Sequence, residues 1–274
     1  MGITLYKNAD WILTVNEKRE KFRHGDLLIS GKEILDVGND LEKKYAGKLQ
    51  IDKTIDAKGT VILPGFVNVH HHTWQSLIRN IQATRGLKLE PWLTVMYEIY
   101  KDLNTDVARA GVYSGLGDML KTGCTTSNDL WYPHPVGVKY LVDAEIQAAA
   151  EIGIRFHPTR GFHSVPSDIV PPEVVDTKES VTEDTIRLVK KYHDRSRFSM
   201  CQVGIAPSIA QYETEDIIEA VVDLAEEYDI MVHGHLAESQ HEVEYTLKTW
   251  GCRPFEWFKR HRLLGKRFYF AHCI

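Results

Sequence analysis

From residue 61 onward, short apolar runs that predict β-strands alternate with longer stretches of helical periodicity. Alternation of this kind indicates parallel strands joined by crossover helices, which is an α/β fold. A doubly wound sheet would place a glycine-rich turn after its first strand, and this sequence has none there. We therefore expect a (β/α)8 barrel of the TIM type, which gathers functional residues at the carboxyl ends of its strands. The predicted strands are 66–69, 124–130, 154–159, 200–206, 230–235 and 268–272. Between them, Thr105 is the predicted N-cap of a helix that runs to Thr122, and Gly153 ends a helix over 139–152.

The length of this segment limits the barrel. A complete barrel needs eight strands and roughly 250 residues, whereas residues 61–274 contain six predicted strands. We therefore expect a barrel that is truncated after strand six. The residues before it alternate in the manner of strands at 3–15, 22–38 and 52–62, which predicts a small N-terminal β-sandwich module. The predicted domains are 1–60 and 61–274.

Three histidines follow the first predicted barrel strand. Because side chains alternate between the faces of a strand, His70 and His72 point the same way and His71 points the other way. Two imidazoles placed like this can share one metal ion. The alternative interpretation is a strand end with polar residues at its mouth.

The fifth and sixth predicted strands also end in histidine. His235 closes the fifth strand, with Glu238 three residues later, and His272 closes the sixth. Three strand ends would then deliver imidazoles to one mouth of the barrel, which is a more specific pattern than any one of them alone. His233, two residues before His235, is better interpreted as a packed core histidine.

The composition excludes several classes of partner. The net charge is −5 at pH 7, so nothing predicts binding to nucleic acid or to a membrane surface. The N-terminus lacks the basic region and apolar core of a signal peptide, and no apolar run reaches the ~18 residues of a membrane span. The four cysteines show no CxxC spacing. We expect a cytoplasmic protein without a disulfide framework.

Three phrases together resemble the amidohydrolase superfamily: PGFVNVHHH at 64–72, HLAES at 235–239 and FAHC at 270–273. More narrowly, the chain resembles the mononuclear aminohydrolase branch, which includes guanine, 8-oxoguanine, cytosine and S-adenosylhomocysteine deaminases and the triazine hydrolases. HHTWQSLIRN at 71–80 and HPTRG at 157–161 are most similar to 8-oxoguanine deaminase-like enzymes.

The resemblance implies one divalent metal, with zinc expected and iron as the alternative. The strand at 200–206 lacks the lysine that binuclear relatives carry, in agreement with a single metal. The resemblance also implies a role for each residue: His70, His72 and His235 hold the metal, Glu238 carries a proton, and His272 contacts the attacking water or the substrate. The family's last metal ligand, an aspartate on strand eight, has no counterpart in this sequence.

The implied activity is hydrolytic deamination of a purine, pyrimidine or triazine-type heterocycle, with 8-oxoguanine or guanine nearest. Gln75 could pair with the N–H and C=O edge of such a ring, or be a solvated loop residue. Arg160 could bind a ring carbonyl, or form a structural salt bridge. Trp74 could stack on the ring or cover the core. Residues 206–214, APSIAQYET, depart from the Ser-Pro-rich stretch of close relatives, which leaves the ring undetermined.

Two other functions stay open at this point. The chain could be an inactive truncated fragment, or a half-barrel that needs a partner chain. It could also be a hydrolase that uses the same site to remove a leaving group other than an amine. The expected partners are a small heterocyclic substrate and further copies of the chain in a homo-oligomer.

Overall fold

The computed structural model describes residues 2–274 of the chain. The chain divides into two compact units, Met1–Phe66 and Val67–Ile274. This division lies close to the boundary between residues 60 and 61 that the sequence predicts. Among residues 2–274, no helix combines the length and apolar character needed to cross a membrane.

The N-terminal unit is built on one mixed sheet. β1 pairs antiparallel with β2 and parallel with β4 and β5, and β3 adds antiparallel to β2. Leu5, Leu28 and Leu41 are buried together against this sheet. The strands within residues 2–62 all belong to this one sheet. A sandwich consists of two packed sheets, so the sandwich stays a prediction. The elements are β1 (Ile3–Leu13), β2 (Lys21–Ser30), β3 (Glu33–Gly38), α1 (Leu41–Tyr45), β4 (Lys53–Asp56) and β5 (Val61–Ile62).

Residues 66–274 contain a second sheet, of six strands in chain order. The sheet runs β11-β10-β9-β8-β7-β6, and its pairs from β7 to β11 are parallel. The carboxyl ends of these parallel strands therefore meet at one edge, as the predicted barrel requires. The strands are β6 (Phe66–Asn68), β7 (Cys124–Trp131), β8 (Arg155–Phe162), β9 (Gly204–Pro207), β10 (Val232–Leu236) and β11 (Phe268–His272).

Helices separate these strands, which confirms the predicted alternation. They are α2 (Leu89–Tyr100), α3 (Thr105–Lys121), α4 (Leu141–Ile152), α5 (Lys178–Tyr192), α6 (Glu215–Tyr228), α7 (Gln240–Trp250) and α8 (Pro254–Arg260). Their apolar faces pack with the strands into one core that includes Phe156, Leu188 and Val221. Burying these faces is the main stabilising term for such a layered fold.

Two local details differ from the sequence prediction. Thr105 was the predicted N-cap of α3, but the cap is Asn104, whose side chain accepts hydrogen bonds from the N–H groups of Asp106 and Val107. Asn competes well with Thr for this position, because its short amide reaches the free N–H groups of the first turn. The strand predicted at 200–206 is the shorter β9, Gly204–Pro207.

A close approach between β7 and β8 requires glycine. A Cβ atom on Gly161 would lie 2.8 Å from the carbonyl carbon of Trp131. This separation is shorter than real Cβ contacts allow, so only a residue without a side chain fits. The two strands can thus bring their ends together next to the histidines that follow β6.

Candidate metal centre

The strand ends bring the predicted histidines together. One ring nitrogen from each of His70, His72 and His235 lies within 4.8 Å of the others. His235, Glu238 and His272 form a second group that meets the same limit. Residues more than 160 positions apart in the chain therefore meet at one point, because β6 and β10 end at the same edge of the sheet.

The tautomers of two of these histidines follow from their hydrogen bonds. His72 Nδ1 lies 2.6 Å from the carbonyl oxygen of Leu130, and His235 Nδ1 lies 2.7 Å from that of Ser208. A carbonyl only accepts, so each Nδ1 carries the proton and donates it. In the neutral ring, each Nε2 then presents a lone pair.

These two lone pairs face one another. His72 Nε2 and His235 Nε2 are 3.2 Å apart, with no proton on either neutral ring to join them. A cation bound to both removes the repulsion. Two nitrogens that bind one tetrahedral zinc ion at about 2.0–2.1 Å lie about 3.3 Å from each other. The donor set and its spacing therefore fit a metal ion.

His70 is oriented by a hydrogen-bonded relay. His233 Nδ1 donates to the carbonyl oxygen of Tyr269 at 3.0 Å, which leaves His233 Nε2 as an acceptor. His70 Nδ1 lies 2.8 Å from that Nε2 and donates to it. The remaining nitrogen of His70, Nε2, therefore carries a free lone pair that can bind a metal ion. The core position predicted for His233 is correct, since it is buried and stacked on the Tyr269 ring, but this residue also orients His70.

Burial keeps these imidazoles neutral, which is the form that binds metals. It lowers the pKa of His70 to about 4 and of His233 to about 3. It also holds the pKa values of His72 and His235 well below the usual range. These rings therefore stay neutral at neutral pH, and their free nitrogens can bind a metal cation.

A carboxyl group stands beside the histidines. Glu238 Oε1 is 3.3 Å from His272 Nε2. Burial, reinforced by the charges of Glu242 and Glu90, raises the pKa of Glu238 to about 7. A group that can both take and give a proton near neutral pH is suited to general acid–base catalysis. Ala237 and His272 have φ angles of 51° and 71°, a left-handed conformation that is often found at functional sites.

The histidines open into a cavity of about 330 Å³. A volume of this size suits one small organic molecule. Gln75 is on its wall and donates through Nε2 to Tyr100 Oη at 3.0 Å and to Tyr132 Oη at 3.3 Å. The lining residues are His70, His72, Gln75, Leu89, Glu90, Trp92, Leu93, Tyr97, Tyr132, His163, Ser208, Ile209, Gln211, Tyr212, His235, Glu238, Ser239 and His272.

A model of the amidohydrolase family matches residues 61–274. The chain belongs to the amidohydrolase family. It is 32% identical to 8-oxoguanine deaminase from Pseudomonas aeruginosa over 222 residues, which is 80% of this chain and 49% of that protein. It is 30% identical to 5-methylthioadenosine/S-adenosylhomocysteine deaminase from Bacillus cereus, over 99% of this chain and 58% of that protein. This amidohydrolase thus spans about half to three-fifths of the length of these relatives.

Solved structures share its fold. Atrazine chlorohydrolase TrzN from Arthrobacter aurescens TC1, complexed with zinc, superposes with a TM-score of 0.90 at 24% identity, over 99% of this chain and 61% of that one. Guanine deaminase from E. coli superposes with a TM-score of 0.78 at 22% identity, over 100% of this chain and 62% of that one. Both likenesses concern the fold alone.

Arg160 and Trp74 lie outside the amidohydrolase cavity. The Arg160 side chain is 3% exposed and pairs with Asp176 at 2.8 Å and with Asp184 at 3.0 Å. It faces a different hollow, beside His134, so the geometry favours the structural salt bridge over the ring-binding role. Trp74 is 1% exposed and packs on Trp131, so it covers the core.

The sequence did not predict that His233 orients His70, nor did it predict several residues that line the cavity. His233 is two residues before His235, so the spacing that singled out His70 and His72 could have singled it out too. No comparable signal marks the residues that reach the cavity from helices and from the segments after β7, β8 and β9: Tyr97, Tyr132, His163, Gln211 and Tyr212.

Proposed function

We propose that this amidohydrolase removes an amino group by hydrolysis from a purine, pyrimidine or triazine-type ring, with the help of one divalent metal ion. The observation that carries the proposal is the pair of facing lone pairs on His72 Nε2 and His235 Nε2, 3.2 Å apart at the end of a cavity sized for one ring. The deaminase activities named for its relatives support the choice of reaction.

In this proposal the metal is held by His70, His72 and His235. Zinc is our first choice, as in the zinc-bound TrzN structure, and iron is the alternative. A divalent metal held there supplies Lewis acidity that lowers the pKa of a water molecule to about 7. Neutral histidine nitrogens suit zinc and iron alike.

Glu238 is the proposed proton carrier. With its pKa near 7, it can accept one proton from the attacking water and deliver it to the ring nitrogen, and then move the second proton of that water to the departing ammonia. His272, 3.3 Å from Glu238, is the proposed hydrogen-bond partner of the attacking water or of the ring substituent. Gln75 is the proposed substrate-binding residue on the cavity wall.

We also propose that residues 61–274 correspond to the first six units of a (β/α)8 barrel and residues 1–60 to a separate N-terminal domain. The six parallel strands in chain order and the start of the family match at residue 61 support this division. The cytoplasmic location and the homo-oligomer remain predictions.

Metal content and ammonia release test the proposal together. The purified chain is incubated with zinc or iron(II) and assayed for bound metal, and then for ammonia from guanine, 8-oxoguanine, cytosine and amino-triazines. We expect close to one metal per chain and ammonia from at least one ring. His235→Ala should lose both, whereas His241→Ala, on the exposed start of α7, should lose neither.

Equal metal binding by the wild type and by His235→Ala would refute the proposed centre. A second candidate, removal of a non-amino leaving group, is favoured by the likeness to atrazine chlorohydrolase. Release of chloride from a chlorotriazine without ammonia from any amino ring would select it. Bound metal with no product from any ring would instead support a chain that is inactive on its own.

A further inference from the structure

One wall of the cavity carries polar atoms without partners. Among residues 2–274, three buried side-chain atoms that lack a protein hydrogen-bond partner belong to residues lining this cavity: His163 Nδ1, Gln211 Oε1 and Tyr212 Oη. These residues are only 1%, 6% and 5% exposed. A buried polar atom without a partner is unfavourable unless a ligand or water satisfies it. We call Gln211 and Tyr212 the edge pair.

The backbone around the edge pair is held firmly. The two residues belong to a 3-10 turn, Ala210–Tyr212, directly after β9. The carbonyl oxygen of Tyr212 accepts hydrogen bonds from Ser164 N at 2.9 Å and from Val165 N at 3.0 Å. Next in the chain, buried Glu213 accepts from Ser208 N at 3.1 Å and from Ser164 Oγ at 2.9 Å. The edge pair is therefore presented on a rigid support.

The two atoms of the edge pair have complementary hydrogen-bonding character. Gln211 Oε1 is an amide oxygen and can only accept a hydrogen bond. Burial raises the pKa of Tyr212 to about 12, so the phenol keeps its proton and can donate. One acceptor beside one donor matches a ligand edge that offers one N–H beside one C=O.

We propose that Gln211 and Tyr212 bind the lactam edge of the substrate ring, with Gln211 Oε1 accepting from a ring N–H and Tyr212 Oη donating to the adjacent ring carbonyl. This inference rests on the proposed function and narrows its substrate to oxo-heterocycles. Rings without a lactam, such as alkoxy-, chloro- or alkylamino-triazines, leave both atoms unsatisfied.

His163 completes the wall but is not part of the lactam contact. Its Nε2 is 2.5 Å from Tyr97 Oη, and its Nδ1 is 3.9 Å from the nearest oxygen of Glu213, which is too long for a hydrogen bond. Its ring packs edge-on against the Tyr212 ring, with centroids 5.4 Å apart. His163 therefore supports the orientation of Tyr212.

Binding of two ligands without an amino group tests the edge pair apart from catalysis. Hypoxanthine presents a ring N–H beside a carbonyl in its six-membered ring, and 6-methoxypurine has the same ring system without this lactam. Isothermal titration with the metal-loaded protein should show about a 100-fold preference for hypoxanthine, since each buried hydrogen bond contributes about tenfold. Tyr212→Phe and Gln211→Met should each reduce the preference about tenfold, and the double variant should abolish it.

The preference is a ratio within one variant, so a partly unfolded sample changes both affinities equally and leaves the ratio intact. Tyr113→Phe and Gln147→Met, on exposed helix surfaces, are matched controls that should keep the wild-type ratio. Equal affinities for the two purines, no binding of hypoxanthine, or an unchanged ratio in both cavity variants would overturn the proposal. These results do not depend on ammonia release, so they are distinguishable from a failure of the proposed deamination.

Discussion

The buried carboxyl pair Asp129 and Glu145 predicts how the stability of this protein depends on pH. Both side chains are completely buried and contact Thr73, the residue that follows His72. Thr73 donates from its N–H to Asp129 at 2.5 Å and from its hydroxyl to Glu145 at 2.7 Å. Burial raises the pKa of Asp129 to about 7 and that of Glu145 well above its usual range, because the two carboxyl groups cannot both ionise there.

Folded Glu145 therefore keeps a proton that the unfolded chain releases above a pKa of 4.5. Because the folded state binds more protons than the unfolded state, its stability falls as the pH rises, by about 1.4 kcal/mol per pH unit. Between pH 5 and pH 7 this amounts to about 3 kcal/mol. The contribution is complete at pH values below 4.5 and is lost as the pH rises towards the pKa of the folded pair.

Glu145→Gln removes this proton without changing the shape of the side chain. The new amide can accept from the Thr73 hydroxyl and donate to Asp129. Asp129 stays buried in the variant, so its own contribution to the pH dependence is common to both proteins and the difference between them reports Glu145. We expect the free energy of unfolding in urea to fall by about 3 kcal/mol less for this variant than for the wild type between pH 5 and pH 7. The exposed Glu219→Gln on α6 is the control and should follow the wild type. Parallel pH curves for Glu145→Gln and the wild type would refute the reasoning.

Three further predictions follow from single contacts. His233→Ala leaves His70 Nδ1 without its acceptor and should weaken metal affinity about 10- to 100-fold in a chelator competition, whereas His193→Ala, which loses only a bond to a backbone carbonyl, should not. Asn104→Ala should destabilise the protein by about 1 kcal/mol in urea unfolding and Thr105→Ala by less, and the reverse order would restore Thr105 as the cap. Gly161→Ala should lower the free energy of unfolding by about 1–3 kcal/mol, and with it the melting temperature, because its Cβ meets the Trp131 carbonyl; Gly117→Ala, which meets nothing within 4 Å, should not.

The sequence predicted the order of the elements well because periodicity and helix-ending residues agree along most of the second unit. The helix predicted to end at Gly153 does so, with that glycine in the left-handed conformation at φ 83°. The fourth strand was predicted too long, since an apolar run does not show which of its residues pair. Residue 200 is 40% exposed and residue 201 makes only an isolated bridge before β9 begins.

The histidine cluster was also predictable, because strand alternation fixes the direction of side chains near strand ends. The salt bridges of Arg160 could not be predicted, because its partners Asp176 and Asp184 are 16 and 24 residues away and only the fold brings them into contact. The positions of Gln211 and Tyr212 could not be predicted, because residues beyond the end of a strand no longer alternate between its two faces. Its path depends on contacts with the residues after β8, such as that between Ser164 and Tyr212.

The residues of the proposed metal site and the edge pair belong to different structural elements. His235 is inside a strand, whereas Gln211 and Tyr212 are on a short turn beyond the end of another. Randomising positions 209, 211 and 212 should therefore yield enzymes with altered ring preference that still take up metal normally. Directed evolution of this protein towards new heterocycles would start from that turn, and leave the strand ends untouched.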